Sequence, residues 1–162
     1  MLHVGTHATS QYRLEVISLT ICNTISYLGV EIGNLLSFET NIHNMVSTAI
    51  WRIYLIRRCF LSNEVSCLTK YFVVFVRPLL EYCLFVWYPS YKYLVDSAES
   101  VQRRFTKYLP GFSSVSYSER LKRLKLDILE LRRLYIDLTR CFKICHGYVA
   151  LDKNDVFLRL IV

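Results

Sequence analysis

Apolar side chains recur at steps of three and four through most of this sequence. Phe38, Ile42, Met45, Ala49, Ile53, Ile56 and Phe60 keep that spacing unbroken, which predicts an amphipathic helix from an N-cap at Ser37 to about Phe60. Ser62-Asn63-Glu64 opens a second predicted helix, with Val65, Leu68, Phe72 and Val76 facing inward. It runs into Pro78, which brings no backbone N–H and disfavours helical geometry at Arg77, so a kink or restart is expected there. Glu81 then belongs to the first turn of the restarted segment, where a carboxylate suits the positive end of the dipole. Trp87 and Pro89 close this apolar stretch. Beyond Pro89-Ser90, a helix over 92–108 carries Leu94, Ala98, Val101, Phe105 and Tyr108 on one stripe. Glu99, Arg103 and Lys107 lie on another, spaced for an i,i+4 ladder of charges.

Pro110-Gly111 stops that helix. Ser116-x-x-Glu119 reads as a capping box for a short basic helix, and Asp127-x-x-Glu130 as the start of the last long one. On that helix Leu131, Leu134, Leu138, Cys141 and Cys145 form the expected buried stripe, and Arg133, Asp137 and Arg140 the wet one. Gly147 stands where a residue just past a helix end is expected. Near the N-terminus the period changes to two. Tyr12, Leu14 and Val16 alternate, as do Leu28, Val30 and Ile32, with Asn23-Thr24 between, which predicts a small antiparallel ribbon. The expected fold is mainly α, a helical bundle with a small N-terminal antiparallel β ribbon. Residues 1–11 are expected to fray, 12–35 to form the ribbon, 36–147 the helical domain, and 148–162 a tail without a period.

Composition sharpens this picture. With 162 residues, 53% of them hydrophobic, and only five Gly and three Pro, the chain can build one ordinary domain. Twelve Tyr, nine Phe and two Trp either fill its core or meet a partner surface. Twenty basic against 13 acidic residues give a net charge of +7, which favours an anionic partner, nucleic acid before membrane. The six cysteines, without a CxxC, read as reduced thiols acting as small hydrophobes in an intracellular protein, nuclear or cytoplasmic. No charged region followed by an apolar core opens the chain, so no signal peptide is expected. Tyr71 to Tyr88 has the length of a membrane span, but Arg77, Pro78 and Glu81 interrupt its centre, so no span is expected.

The candidate chemistry is cationic. Arg103, Arg104 and Lys107, followed by Arg120, Lys122, Arg123 and Lys125, are placed either to neutralise phosphates of RNA or an RNA–DNA duplex, or to form a solvated charged face. Cys141-x-x-x-Cys145-His146 invites a metal reading, yet His146 points about a hundred degrees from the two thiols and no second ligand pair stands nearby. Core thiols are the expectation, with no metal and no cofactor. His3, His7 and His43 read as surface histidines. No phosphate-binding Gly-rich loop and no nucleophile elbow occur.

Arg77-Pro78-x-Leu80-Glu81-Tyr82, Val86-Trp87-x-Pro89 and Val101-Gln102-Arg103-Arg104-Phe105-Thr106-Lys107 resemble, in order and spacing, the region C-terminal to the palm in reverse transcriptases of non-LTR (LINE-type, Jockey-like) retrotransposons. The flanks agree, from Tyr27-Leu28-Gly29-Val30 and Leu36-Ser37-Phe38 to Tyr117-Ser118-Glu119-Arg120-Leu121, Leu129-Glu130-Leu131-Arg132-Arg133 and Lys143-Ile144-Cys145-His146-Gly147. The likeness runs from about Tyr12 to Gly147. It implies the thumb and post-palm part of an RNA-directed DNA polymerase, whose basic helices grip the primer–template and whose ribbon lies against a palm domain. Mg²⁺ would belong to the full-length polymerase only. Nucleotidyl transfer needs carboxylates that hold two divalent ions. The first Asp here is Asp96 and no Asp-Asp pair occurs, so no catalytic residue is expected and the chain alone should be inactive. Tyr27, Gly33, Asn41, Thr48, Val73, Leu84 and Asp127-Ile128 depart from the residues usual in that family, as in a drifting copy of the element. A stand-alone helical protein-interaction module is the other reading.

Overall fold

The computed structural model describes residues 2, 13–14, 17–18, 20, 22–60, 64–84, 86 and 91–149. Expectations for Tyr12, Val16, His3, His7, Ser62-Asn63, Trp87, Pro89-Ser90 and residues 150–162 lie outside them. The fold is mainly α with small antiparallel β pairs at the N-terminal end. Strand β1 (Arg13–Leu14) pairs with β2 (Ile17–Ser18), and β3 (Thr24–Tyr27) with β4 (Val30–Gly33). The helices are α1 (Glu39–Cys59), α2 (Val65–Tyr71), α3 (Arg77–Glu81), α4 (Lys92–Tyr108), α5 (Tyr117–Leu124) and α6 (Leu129–Cys145).

The pairing of the ribbon is more local than expected. Thr24 begins a strand rather than a connection, and the turn falls at Leu28-Gly29, opposite the Tyr27↔Val30 pair. Both turn residues have positive φ, 48° and 78°, the mirror-image turn that matches strand twist. Gly29 adopts this freely and Leu28 under strain. Two side chains of α1 tie the hairpin down. Buried Asn41 accepts from the Glu31 N–H at 3.1 Å, and the Asn44 amide donates to the Glu31 carboxylate at 2.9 Å.

Helix α1 is the central element, packed on by β4, α3, α4 and the turn that precedes α3. Ile42, Met45, Ala49, Ile53 and Ile56 are buried, as the spacing predicts, with Phe38 and Phe60 at the margins of the core. The N-cap is Phe38 rather than the expected Ser37, one residue earlier, whose hydroxyl accepts from the Glu39 N–H at 3.4 Å.

The expected restart falls at Arg77, where α3 begins with Pro78 in its first turn, but the helical path is continuous up to it. Phe72–Val76 form a π-helical turn that joins α2 to α3, with the Arg77 N–H reaching back to the Phe72 carbonyl. A wider turn makes room for a residue that lacks an N–H. Arg52 of α1 donates to the Phe75 carbonyl at 2.8 Å. Phe72 and Val76 stay fully buried, and Phe72 stacks on Phe105 of α4 with centroids 4.4 Å apart. Glu81 consequently ends α3 instead of beginning it. Its carboxylate pairs with Arg132 of α6, through Nε and through Nη2 at 3.2 Å, and lies 3.8 Å from Arg77. Burial and the neighbouring Arg132 lower the Arg77 pKa, whereas the hydrogen bond to Glu81 raises that of Arg132.

Helix α6 presents its faces the opposite way from expectation. Leu131, Leu134, Leu138, Cys141 and Cys145 are exposed, while Arg133 and Ile144 are buried and Leu129 and Ile136 pack against the core. Two anchors turn it so. One is the Arg132–Glu81 pair. The other is Glu99 of α4, which accepts from the Leu129 N–H at 2.9 Å and caps the helix in place of Asp127. The expectation of thiols as small hydrophobes holds for Cys83, which packs against the core, but not for exposed Cys59, Cys141 and Cys145; Cys22 and Cys67 are half-buried. Gly147 does lie just past the end of α6, at φ +71°, where the Tyr148 N–H reaches the Lys143 carbonyl at 2.9 Å. No helix of the described residues is long and apolar enough to cross a membrane.

Candidate nucleic-acid interface

Helix α4 forms over the expected residues because its apolar stripe is continuous. Leu94, Val101 and Phe105 are buried. Tyr108 departs from the stripe: it is exposed beneath the Arg57 guanidinium, 4.7 Å from the ring centroid. The Glu99–Arg103–Lys107 ladder does not form, because Glu99 is buried and turned towards α5 and α6. It accepts from the Tyr117 hydroxyl, from Gln102 Nε2 at 3.4 Å and from the Leu129 N–H. Gln102 Nε2 also donates to the Asp127 carbonyl at 2.9 Å and to the Tyr117 hydroxyl at 3.2 Å. A buried carboxylate needs such donors to offset its lost hydration. These five groups lock the junction of α4, α5 and α6.

Tyr117 opens α5, which Ser116 caps by accepting from the Glu119 N–H at 3.4 Å. The Glu119 carboxylate does not close the box; it pairs with Arg123 at 2.9 Å. Two guanidinium groups lie over the Tyr117 ring, Arg103 at 5.1 Å and Arg120 at 5.4 Å from its centroid. Burial, then the Glu99 carboxylate, holds the Tyr117 phenol above its ordinary 10.0. A raised phenol pKa means that the folded chain keeps its proton where the unfolded chain has lost it. This contribution is whole below pH 10.0 and disappears as pH rises towards the folded-state value. Tyr117→Phe is therefore expected to flatten the fall in urea midpoint as pH rises above about 10, relative to the plateau below it.

The seven cations singled out in the sequence fare differently. Arg103, Arg104 and Lys107 are exposed on α4, and Lys122, Arg123 and Lys125 are exposed on or just after α5, with the two helices in contact. Arg123 is engaged by Glu119. Arg120 is buried, its Nε without a hydrogen-bond partner, and so contributes to packing rather than to an outer charged face. Lys122 and Arg123 also complement the negative end of α5. Lys125 sits in the left-handed conformation, φ 54°, directly beyond it, with the Leu126 N–H closing onto the Leu121 carbonyl at 3.0 Å. Lys125→Gly should stabilise the fold by about 0.5–1 kcal/mol, read as a higher denaturant midpoint, because a left-handed non-glycine costs roughly 1–2 kcal/mol and the freer unfolded chain offsets part of the relief.

Two cationic features escaped the sequence reading. Arg57 of α1 extends the α4 cations across the Tyr108 ring. Arg132, Arg140 and Lys143 line one groove of α6 together with Tyr135 and Ile136. Their spacing carries a signal, since 132, 136, 140 and 143 share one helical face. Cys141, Cys145 and His146 do not assemble: His146 stacks on Phe142 at 4.0 Å and its Nδ1 lies 2.9 Å from the Phe142 carbonyl oxygen. Among the described residues no three His, Cys, Asp or Glu are grouped to hold a metal ion. Exposed His43 lies 3.7 Å from Glu39.

No family model and no solved structure matches this chain. An uncharacterized protein of Caenorhabditis elegans is similar to it, 25% identical over 119 residues, which are 72% of this chain. The match covers 60% of that relative's length.

Proposed function

We propose that this chain is the gripping part of a non-LTR retrotransposon reverse transcriptase, a thumb and post-palm segment that holds RNA or an RNA–DNA duplex by its phosphates. The carboxylates for nucleotidyl transfer, and the Mg²⁺ they hold, would belong to a palm domain with which this segment packs. The observation that carries the reading is the ordered set of sequence blocks around Arg77–Lys107. In support, the cations of those blocks and of the following helix stand outward: Arg103, Arg104 and Lys107 on α4, Lys122 and Lys125 beside α5. Arg120 is withdrawn from the contact set because it is buried.

Binding of a labelled RNA–DNA hybrid, titrated with salt, tests this. Affinity is expected to fall steeply and linearly on logarithmic axes, and Arg104→Ala or Lys107→Ala to weaken binding to any sequence while lowering the slope by about 1 each. Absence of binding at low salt removes the reading. A stand-alone interaction module would then be preferred, a reading favoured by the leucine face of α6.

A further inference from the structure

We propose that the outer face of α6 is a self-association surface on which two copies of this chain pair through antiparallel α6 helices. Leu131, Leu134, Leu138 and Cys141 repeat at three and four residues, the spacing of a two-helix seam, and Ile128, Tyr135 and Phe142 run beside them. All seven are exposed, Leu138 by 57% and Phe142 by 55%. The opposite side of the helix is already committed, through Arg132 to Glu81 and through buried Arg133 and Ile144. No rotation of α6 could therefore bury the leucines without breaking those contacts.

The identity of the occupant follows from symmetry and area. With two α6 helices antiparallel and centred level with Ile136, Leu134 meets Leu138 of the second copy and Leu131 meets Cys141, and Ile128 lies within one helical turn of Phe142. The two Tyr135 residues lie on either side of the two-fold axis, about 3 Å apart along the helix direction. The three leucines and Cys141 of one copy thus fall on leucine or Cys141 of the other, the self-complementarity that a two-fold interface requires. A parallel pair would also superimpose like on like. It would, however, bring Glu130 to Glu130 and align the two dipoles, whereas the antiparallel pair opposes the dipoles. The exposed parts of these side chains come to roughly 600–700 Å² on each copy, close to the 800 Å² or so per partner of a standard stable interface and at the upper limit of what ordinary monomers leave bare.

Sedimentation velocity of the full chain between about 1 and 100 μM reads the outcome. A dimer is expected at the upper concentrations, and Leu134→Glu combined with Leu138→Glu should weaken it at least tenfold with unchanged helix content. A second variant guards against misfolding of the first. Leu131→Cys, oxidised with copper phenanthroline, is expected to give a disulfide between the sulfur introduced at 131 and Cys141 of the second copy, identified by peptide mass. A chain monomeric throughout that range overturns the proposal, as does a dimer indifferent to the double substitution. A crosslink between two copies of position 131 overturns the antiparallel arrangement. Association that begins only after removal of residues 150–162 would assign the face to that segment and overturn the proposal likewise.

Discussion

Glu99→Ala is expected to lower the unfolding free energy by about 3 kcal/mol, read as a lower urea midpoint at unchanged slope. The figure follows from what the substitution strands. The Leu129 N–H loses the acceptor that caps α6, an effect of about 1 kcal/mol at an ordinary cap. The Tyr117 hydroxyl and one donor of Gln102 also lose a buried acceptor, each such loss costing about 1–3 kcal/mol where water cannot replace it. Glu99→Gln keeps one acceptor and should cost less than half as much. If the alanine variant unfolds at the parental midpoint, the junction of α4, α5 and α6 is held by packing alone and the description of Glu99 as its anchor is wrong. Tyr117→Phe in the Glu99→Ala background should add little, since the two groups share one interaction.

Phe72→Ala should be of similar or greater effect, about 3–5 kcal/mol. The ring is fully buried and stacked on Phe105, so truncation removes its transfer free energy, leaves a cavity and deletes an aromatic pair worth about 0.5–1.5 kcal/mol beyond area. Phe72 also lies in the π-helical turn that carries the chain past Pro78, where a cavity has rigid walls and little freedom to collapse. Phe72→Leu, which refills most of that volume, is expected to lose markedly less. Thermal and urea unfolding of the two variants, compared with the parent, check the order.

The helices were legible because their apolar periods are long and uninterrupted; α1 and α4 lie where their stripes place them. The π-helical turn had a signal that went unread. Leu68, Phe72, Val76 and Leu80 are spaced by four and all buried. On an α-helix three such steps drift by about 120°, and one extra residue in the turn returns about 100° of it. Asn41 stood in the sequence only as a departure from the resembled family, because its acceptor role depends on a backbone N–H ten residues away. The reversed face of α6 was not legible at all. Local periodicity identified the leucine stripe correctly, but which side of an amphipathic helix meets the domain was decided by Glu81 and Glu99, distant carboxylates whose partners no local pattern reveals. The same limit explains Arg120, counted among the outward cations and found buried against Tyr117. Charge runs report composition, not orientation.

Glu81 and Tyr82 are neighbours in the chain, and each closes a long loop. The Tyr82 hydroxyl donates to the Leu28 carbonyl, 54 residues away at 2.8 Å, and Glu81 meets Arg132, 51 residues away. Closing loops of that size is entropically costly and is recovered only when other contacts have gathered the ends. The last helix and the Tyr82 link to the hairpin are therefore expected to settle late, onto one shared peptide unit, after the local helices and the short-range hairpin contacts to α1 have formed. Weakening that unit should hasten escape from the native state far more than it slows arrival.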